Sequence, residues 1–229
     1  MFLPLHDRNP IRHVAFPFVS YSLIAINVLV FLVQLTQTGS PTAFDEFAIR
    51  YAAAPYLLAN PGVFDQLPGL PDQLTLVTYA FLHADWLHLG SNMLFLWVFG
   101  DNVEDALGHV KFLIFYLLCA ILSGLAFVAM AGGSGWVIGA SGAVAGVMGA
   151  YLVLYPHARV YVLFRLVIPV PLPIPALWMV GVWIATQIFY AVTAGESDIA
   201  WWAHLGGIVA GALLCVPLKR RDVALFGGR

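Results

Sequence analysis

Charge is what this chain has least of. Of its 229 residues, 10% are Asp, Glu, Lys or Arg, where soluble domains run at about 25%. With 61% hydrophobic residues and a mean hydropathy of +0.88, that deficit excludes an ordinary soluble domain and implies a polytopic membrane protein. The net charge of −2 offers nothing to a phosphate backbone, so no nucleic-acid partner is expected. Cysteine is scarce too. Cys119 and Cys215 both lie in apolar runs and read as small buried hydrophobes, not as a disulfide. No histidine–cysteine cluster has zinc-ligand spacing. There are no low-complexity tracts and no internal repeat.

Apolar sequence is what the chain has instead. Six runs are long enough to cross a hydrocarbon core about 30 Å thick. They cover Phe18–Leu35, Ala84–Gly100, Phe112–Ala131, Val137–Tyr155, Ala176–Val192 and Ile199–Leu218, and none carries a charged residue except Asp85. The first run exceeds the roughly 7–15 apolar residues of a signal-peptide core, so it reads as a retained span. The expected fold is an all-α membrane protein of six helices over 18–218, with residues 1–17 and 219–229 as tails. Val160–Pro175 is apolar but carries Arg165 and prolines at 169, 171, 173 and 175. That stretch reads as an interfacial connector, because proline breaks a helix across hydrocarbon.

Charge orients the six spans. An even number puts both termini on one side, and nine of the ten basic residues fall there: Arg8, Arg12, Lys111, Arg159, Arg165, Lys219, Arg220, Arg221 and Arg229. The positive-inside rule makes that side cytoplasmic. Residues 36–82, the Gly132–Trp136 turn and the Ala194–Asp198 turn then face outside. Within the first of these, Phe44–Leu58 reads equally well as an amphipathic interfacial helix or as a packed surface loop. The compact chain suits a bacterial cytoplasmic membrane.

Several polar residues interrupt these apolar helices. A polar group in hydrocarbon costs several kcal/mol, roughly, unless it has a partner, so each needs a reason. Ser141 opens the fourth span. The glycines around and after it, 139, 142, 146 and 149, recur at helical spacing and form one small-residue face. Gly207 and Gly211 make a matching pair on the sixth span, with His204 one turn before Gly207. Two glycine faces can thus bring Ser141 and His204 together near the outer side. On the second span, His88 and Asn92 are four apart and share a face at the same depth. His83, just before them, reads as a loop or cap residue.

Acyl transfer fits this set. A neutral His204 can take the proton of Ser141 and activate it. The free N–H groups of a helix start, the Asn92 amide and His88 can stabilise an oxyanion. No carboxylate lies within a span to orient His204, and Asp85 is the nearest; the expectation is a Ser–His dyad without a third member.

Three segments together resemble the rhomboid family of intramembrane serine proteases. They are Phe81–Asn92 (FLHADWLHLGSN), Gly139-Ala140-Ser141-Gly142, and Ala203-His204 followed by Gly207 and Gly211. Gly100 to Gly108 resembles the family's link between its second and third spans. The resemblance implies that Ser141 is the nucleophile and His204 the base, and that His88, Asn92 and the Ser141 N–H hold the oxyanion. It implies Gly139, Gly142 and His83 as supports of the site. It implies cleavage of a peptide bond in or beside the transmembrane helix of a substrate protein in the bilayer, without cofactor or metal. Residues 36–82 would be the family's membrane-embedded first loop, and the fifth span with the Ala194–Asp198 turn a candidate gate. Two places depart from the pattern. Many members carry a tyrosine four residues after the serine, where this chain has Ala145. Many carry Trp-Arg in the first loop, where this chain has Leu74-Thr75. Three rival readings stay open: a non-catalytic member that binds membrane helices, a haem or metal protein using His83, His88 and His204, and a small-solute channel.

Overall fold

The computed structural model describes residues 2–55, 71–130, 135–164, 170–193 and 200–227. Seven helices of ten or more residues are described: α1 (Phe18–Gln37), α2 (Pro41–Tyr51), α3 (Trp86–Leu107), α4 (His109–Met130), α5 (Ser141–Leu154), α6 (Ala176–Thr193) and α7 (Trp201–Leu218). Short helical turns at Asp72–Leu74, Thr75–Thr78 and Tyr79–Phe81 lead into α3. The helices α1, α4, α6 and α7 are long and apolar enough to cross a membrane. The short one is α5. At 14 residues it spans only about 21 Å, and it is buried almost along its whole length among α3, α4 and α7.

The chain is not all-α. A three-stranded antiparallel sheet runs in the order β1 (Phe2–Asp7), β2 (Arg159–Phe164), β3 (Pro171–Pro175). Residues expected in a tail and in a connector therefore pair, with Leu3 opposite Leu163 and Val162 opposite Leu172. The reason is local chemistry. Prolines at every second position bar 171–175 from a helix, and Val160, Tyr161 and Val162 favour an extended chain. Ala176 N–H donates to the Ala158 carbonyl at 2.8 Å, so the even-numbered residues of β3 carry the ladder bonds. The prolines lose no ladder donor and leave the outer edge of β3 without N–H groups, which discourages further strand pairing.

Two helix boundaries also differ from expectation. The sequence reading ended the second span at Gly100, ahead of the acidic residues. Instead α3 runs on to Leu107, because those side chains find donors. Glu104, fully buried, accepts from the backbone N–H groups of Val19 (3.0 Å) and Ser20 (2.7 Å) and from the Ser20 hydroxyl (2.7 Å), and meets His109 Nδ1 at 2.6 Å. It thereby caps α1, whose own cap residue, Pro17, supplies no side-chain acceptor. Asp105 accepts from the N–H groups of Arg12, His13 and Val14. Asp7 accepts from the Tyr151 hydroxyl and from Asn102. Burial raises the Asp7 carboxyl above its usual range, against the lowering effect of the Tyr151 bond. At the same end, Arg220 N–H donates to the Ala106 carbonyl and Phe226 N–H to that of Val153, so residues from both chain ends meet there. The second boundary is that of α5, which starts at Ser141 and not at Val137.

Glu104→Ala strips several buried donors of their acceptor at once. A loss of about 3 kcal/mol or more is expected, read as a lowered unfolding midpoint in detergent; an unchanged midpoint would remove Glu104 from the account of α1.

Candidate active site

Ser141 stands where an extended segment turns into a helix. Val137 pairs with Ala53 in an isolated antiparallel bridge, and Gly139 N–H donates to the Tyr79 carbonyl at 2.9 Å. Gly139 then takes φ +116°, a conformation that L side chains rarely adopt. A side-chain carbon there would also sit 2.6 Å from His88 Nε2. After Ala140 the helix begins, and that cap residue supplies no side-chain acceptor to its first turn. The N–H groups of that turn, with the positive end of the helix dipole, are available to a negative charge at Ser141.

His204 faces this serine. Its Nε2 is 2.9 Å from Ser141 Oγ, and its Nδ1 is 2.7 Å from Gln187 Oε1 on α6. Trp183 lies 5.7 Å from the imidazole, tilted by 35°, and Trp201 meets it edge-on at 6.2 Å. Ser141 and His204 are each partly exposed. The Ser123 hydroxyl donates to the Ala203 carbonyl at 2.8 Å, pinning the start of α7 to α4.

The glycine faces explain how the two helices come this close. A side-chain carbon at Gly207 would overlap the Gly142 carbonyl, one at Gly211 the Gly146 carbonyl, and one at Gly149 the Ile208 carbonyl. One at Gly146 would come within 2.6 Å of Cys119 Sγ. Backbone therefore packs on backbone along the α5–α7 contact.

The remaining polar groups converge from α3 and the loop before it. His88 Nδ1 accepts from Ala84 N–H at 3.4 Å, which puts the ring proton on Nε2, the atom turned toward Gly139. The Asn92 amide nitrogen lies 3.7 Å from the carbon position tested at Gly139. It is buried with no hydrogen-bond partner among the described residues. Two donors thus converge on Gly139, two residues before Ser141. His83 is buried and supports them: its Nε2 accepts from Ala140 N–H at 3.4 Å, and its ring meets His88 edge-on at 5.1 Å. Its backbone is clamped by Gln34 of α1, which donates to the His83 carbonyl (2.6 Å) and accepts from its N–H (3.2 Å).

Asp85, the carboxylate nearest to hand in the sequence, does not reach His204. It caps α3, accepting from His88 N–H at 2.7 Å. Gln187 takes the place beside His204, and sequence reasoning missed it, as it missed Gln34. The signal was present in both: a lone amide in an apolar span needs a partner. Ala145 is fully buried, and the rings that flank His204 are those of Trp183 and Trp201. At the other departure, Leu74 is exposed and Thr75 buried. The first loop is anchored by Thr78 Oγ1 to the Tyr51 carbonyl (2.8 Å) and by Tyr79 OH to the Ala120 carbonyl (2.7 Å). The Ala194–Asp198 turn, Arg165, Leu58 and most of Gly132–Trp136 lie outside the described residues. Among the described residues, no three His, Cys, Asp or Glu side chains are placed to hold a metal ion.

Comparison with known proteins gives consistent matches. Residues 71–221 match the family model for the rhomboid domain. The chain is 33% identical over 207 residues to Rhomboid protein 1, mitochondrial, of Saccharomyces cerevisiae, an alignment covering 84% of this chain and 51% of that protein. It is 30% identical over 164 residues to RHOMBOID-like protein 12, mitochondrial, of Arabidopsis thaliana, covering 64% and 46%. Rhomboid protease AarA of Providencia stuartii is 24% identical over 217 residues, covering 86% and 71%. The chain thus spans about half the length of the first two relatives.

Proposed function

This chain belongs to the rhomboid family, and on that premise we propose that it is an intramembrane serine endopeptidase acting through Ser141 and His204. It is an integral membrane protein with a largely helical rhomboid domain. The observation that carries the proposal is the 2.9 Å contact between Ser141 Oγ and His204 Nε2 at the uncapped start of α5.

The proposed cycle follows from these positions. Ser141 Oγ attacks the scissile carbonyl carbon while His204 Nε2 takes its proton. The carbonyl oxygen becomes an oxyanion, held by the Ser141 N–H, the Asn92 amide and His88 Nε2–H. The tetrahedral intermediate collapses, the C–N bond breaks, and His204 returns the proton to the leaving amine. Water, deprotonated by His204, then attacks the acyl-serine ester; the Oγ–acyl bond breaks, the new carboxyl end leaves, and His204 returns the proton to Ser141 Oγ. Gly139 and Gly142 allow the close approaches, and His83 holds the Ala140–Ser141 turn.

In this reading six spans, α1 and α3 to α7, cross the membrane. Both termini and the sheet lie on the cytoplasmic side, and the site opens to the other. Because α5 is shorter than the hydrocarbon core, Ser141 sits below the outer face, and polar residues at that depth are tolerated where they line a water-filled recess. The substrate is the transmembrane helix of another membrane protein, and it must unwind to expose a carbonyl, so helix-weakening Gly or Pro near the outer face favours cleavage. Two of the matched relatives are mitochondrial by name, and this similarity does not favour the bacterial cytoplasmic membrane that the compact chain suggests.

The first test is labelling by a fluorophosphonate probe in detergent. The expected adduct maps to Ser141 and disappears in His204→Ala; a folded wild type that takes no label would instead leave a non-catalytic helix-binding protein as the leading reading.

A further inference from the structure

We infer that Gln187 is a positioning residue of this site: its amide oxygen keeps the His204 proton on Nδ1 and so leaves Nε2 free to accept the proton of Ser141. The inference rests on the proposed Ser141–His204 dyad.

The chain of hydrogen bonds fixes each proton in turn. The Thr186 hydroxyl donates to the Trp183 carbonyl at 2.6 Å, so its oxygen is left as an acceptor. Gln187 Nε2 lies 3.3 Å from that oxygen and 3.3 Å from the Trp183 carbonyl. Both neighbours accept, so the amide must turn its NH2 toward them. Its oxygen then faces His204 Nδ1 at 2.7 Å. An amide oxygen only accepts, so Nδ1 must carry the hydrogen. A neutral imidazole has one N–H, which makes Nε2 the acceptor and obliges Ser141 Oγ–H to donate across 2.9 Å.

Burial shows that this contact is specific. The helix α6 turns much of its surface outward, and its buried residues are Ala176, Met179, Val180 and Gln187. Three of these lie in the half away from the site, and Gln187 is the sole one near His204. A buried amide on such a helix is costly without partners, and here both of its ends are used. Serine hydrolases commonly place a carboxylate at this position to hold the tautomer and orient the ring. In this chain Asp85 is committed to the cap of α3, and a neutral amide performs the orienting without adding a charge to the membrane interior.

The test compares Gln187→Met, which keeps the volume and removes the acceptor, with Gln187→Glu, which restores one. Cleavage of a reconstituted transmembrane substrate is expected to lose about tenfold to a hundredfold in kcat in Gln187→Met, with KM unchanged. Gln187→Glu is expected to keep kcat within about threefold of wild type. A merely structural role predicts the reverse order, since a buried carboxylate disturbs packing more than methionine does. Nitrogen-15 NMR of labelled histidines reads the tautomer independently of activity. His204 is expected as the Nδ1–H form in wild type and to lose that preference in Gln187→Met. Wild-type kcat in Gln187→Met, failure of Gln187→Glu to recover, or a tautomer unchanged in Gln187→Met would overturn the inference. If wild type cleaves nothing, the protease reading fails by itself, and the tautomer comparison still decides the role of Gln187.

Discussion

Ser141→Ala, His204→Ala and the double variant are expected to fall to one common floor of cleavage, about 10⁴-fold or more below wild type. The two side chains form one unit across 2.9 Å. Without the hydroxyl there is nothing for the base to activate, and without the base the hydroxyl stays protonated. Losses from such residues do not add. In the proposed mechanism, stabilisation by the Asn92 amide, His88 and the helix start is expected to survive, since it does not depend on either partner. The check is kcat for a reconstituted substrate in all three variants, with unfolding midpoints measured alongside. Additive losses would mean that the two residues act separately and would remove the proton-transfer step. A Ser141→Ala protein that still cleaves would end the nucleophile assignment.

Gly207→Ala is expected to have the second largest effect, although it adds one carbon. That carbon would overlap the Gly142 carbonyl, and both sides of the contact are backbone, so no flexible side chain can yield. Overpacking of this kind costs about 3 kcal/mol. The site suffers as well, because Gly142 follows Ser141 directly and His204 lies three residues before Gly207. Helices pushed apart by about 1 Å lengthen the Ser141–His204 contact, enough to reduce kcat by roughly 10²-fold. The same substitution at Gly90 or Gly181 meets nothing within 4 Å. There it is expected to leave stability unchanged or raised by as much as about 1 kcal/mol, the helix preference of alanine over glycine. Equal effects at all three positions would show that close α5–α7 packing is not what Gly207 provides.

Much of this molecule was legible in the sequence because the signals were local. Apolar run lengths report membrane helices directly, and the helices α1, α4, α6 and α7 lie within a few residues of the runs read for them. Glycines at 146 and 149, and at 207 and 211, repeat at helical spacing, so the faces that meet were readable before any contact was known. Ser141, His204, His88 and Asn92 stood out as polar groups in apolar surroundings, and the fold brings all four to one end of the bundle.

The sequence by itself determined the solvent this chain lives in, the approximate positions of its helices and the residue types at its site, since each follows from chemistry within a few turns. Tertiary structure alone decided the rest. Pairing of β1 with β2 joins residues more than 150 positions apart, and no local pattern in residues 2–7 announces that partner. The length of α3 depended on donors from the start of α1, 85 residues away, which let Glu104 be buried. Gln187 could be read as needing a partner, but that its partner is His204, with the oxygen of the amide turned inward, was settled by the acceptors that surround its nitrogen. A buried polar group declares a need in the sequence, and only the packing of distant helices supplies the group that meets it.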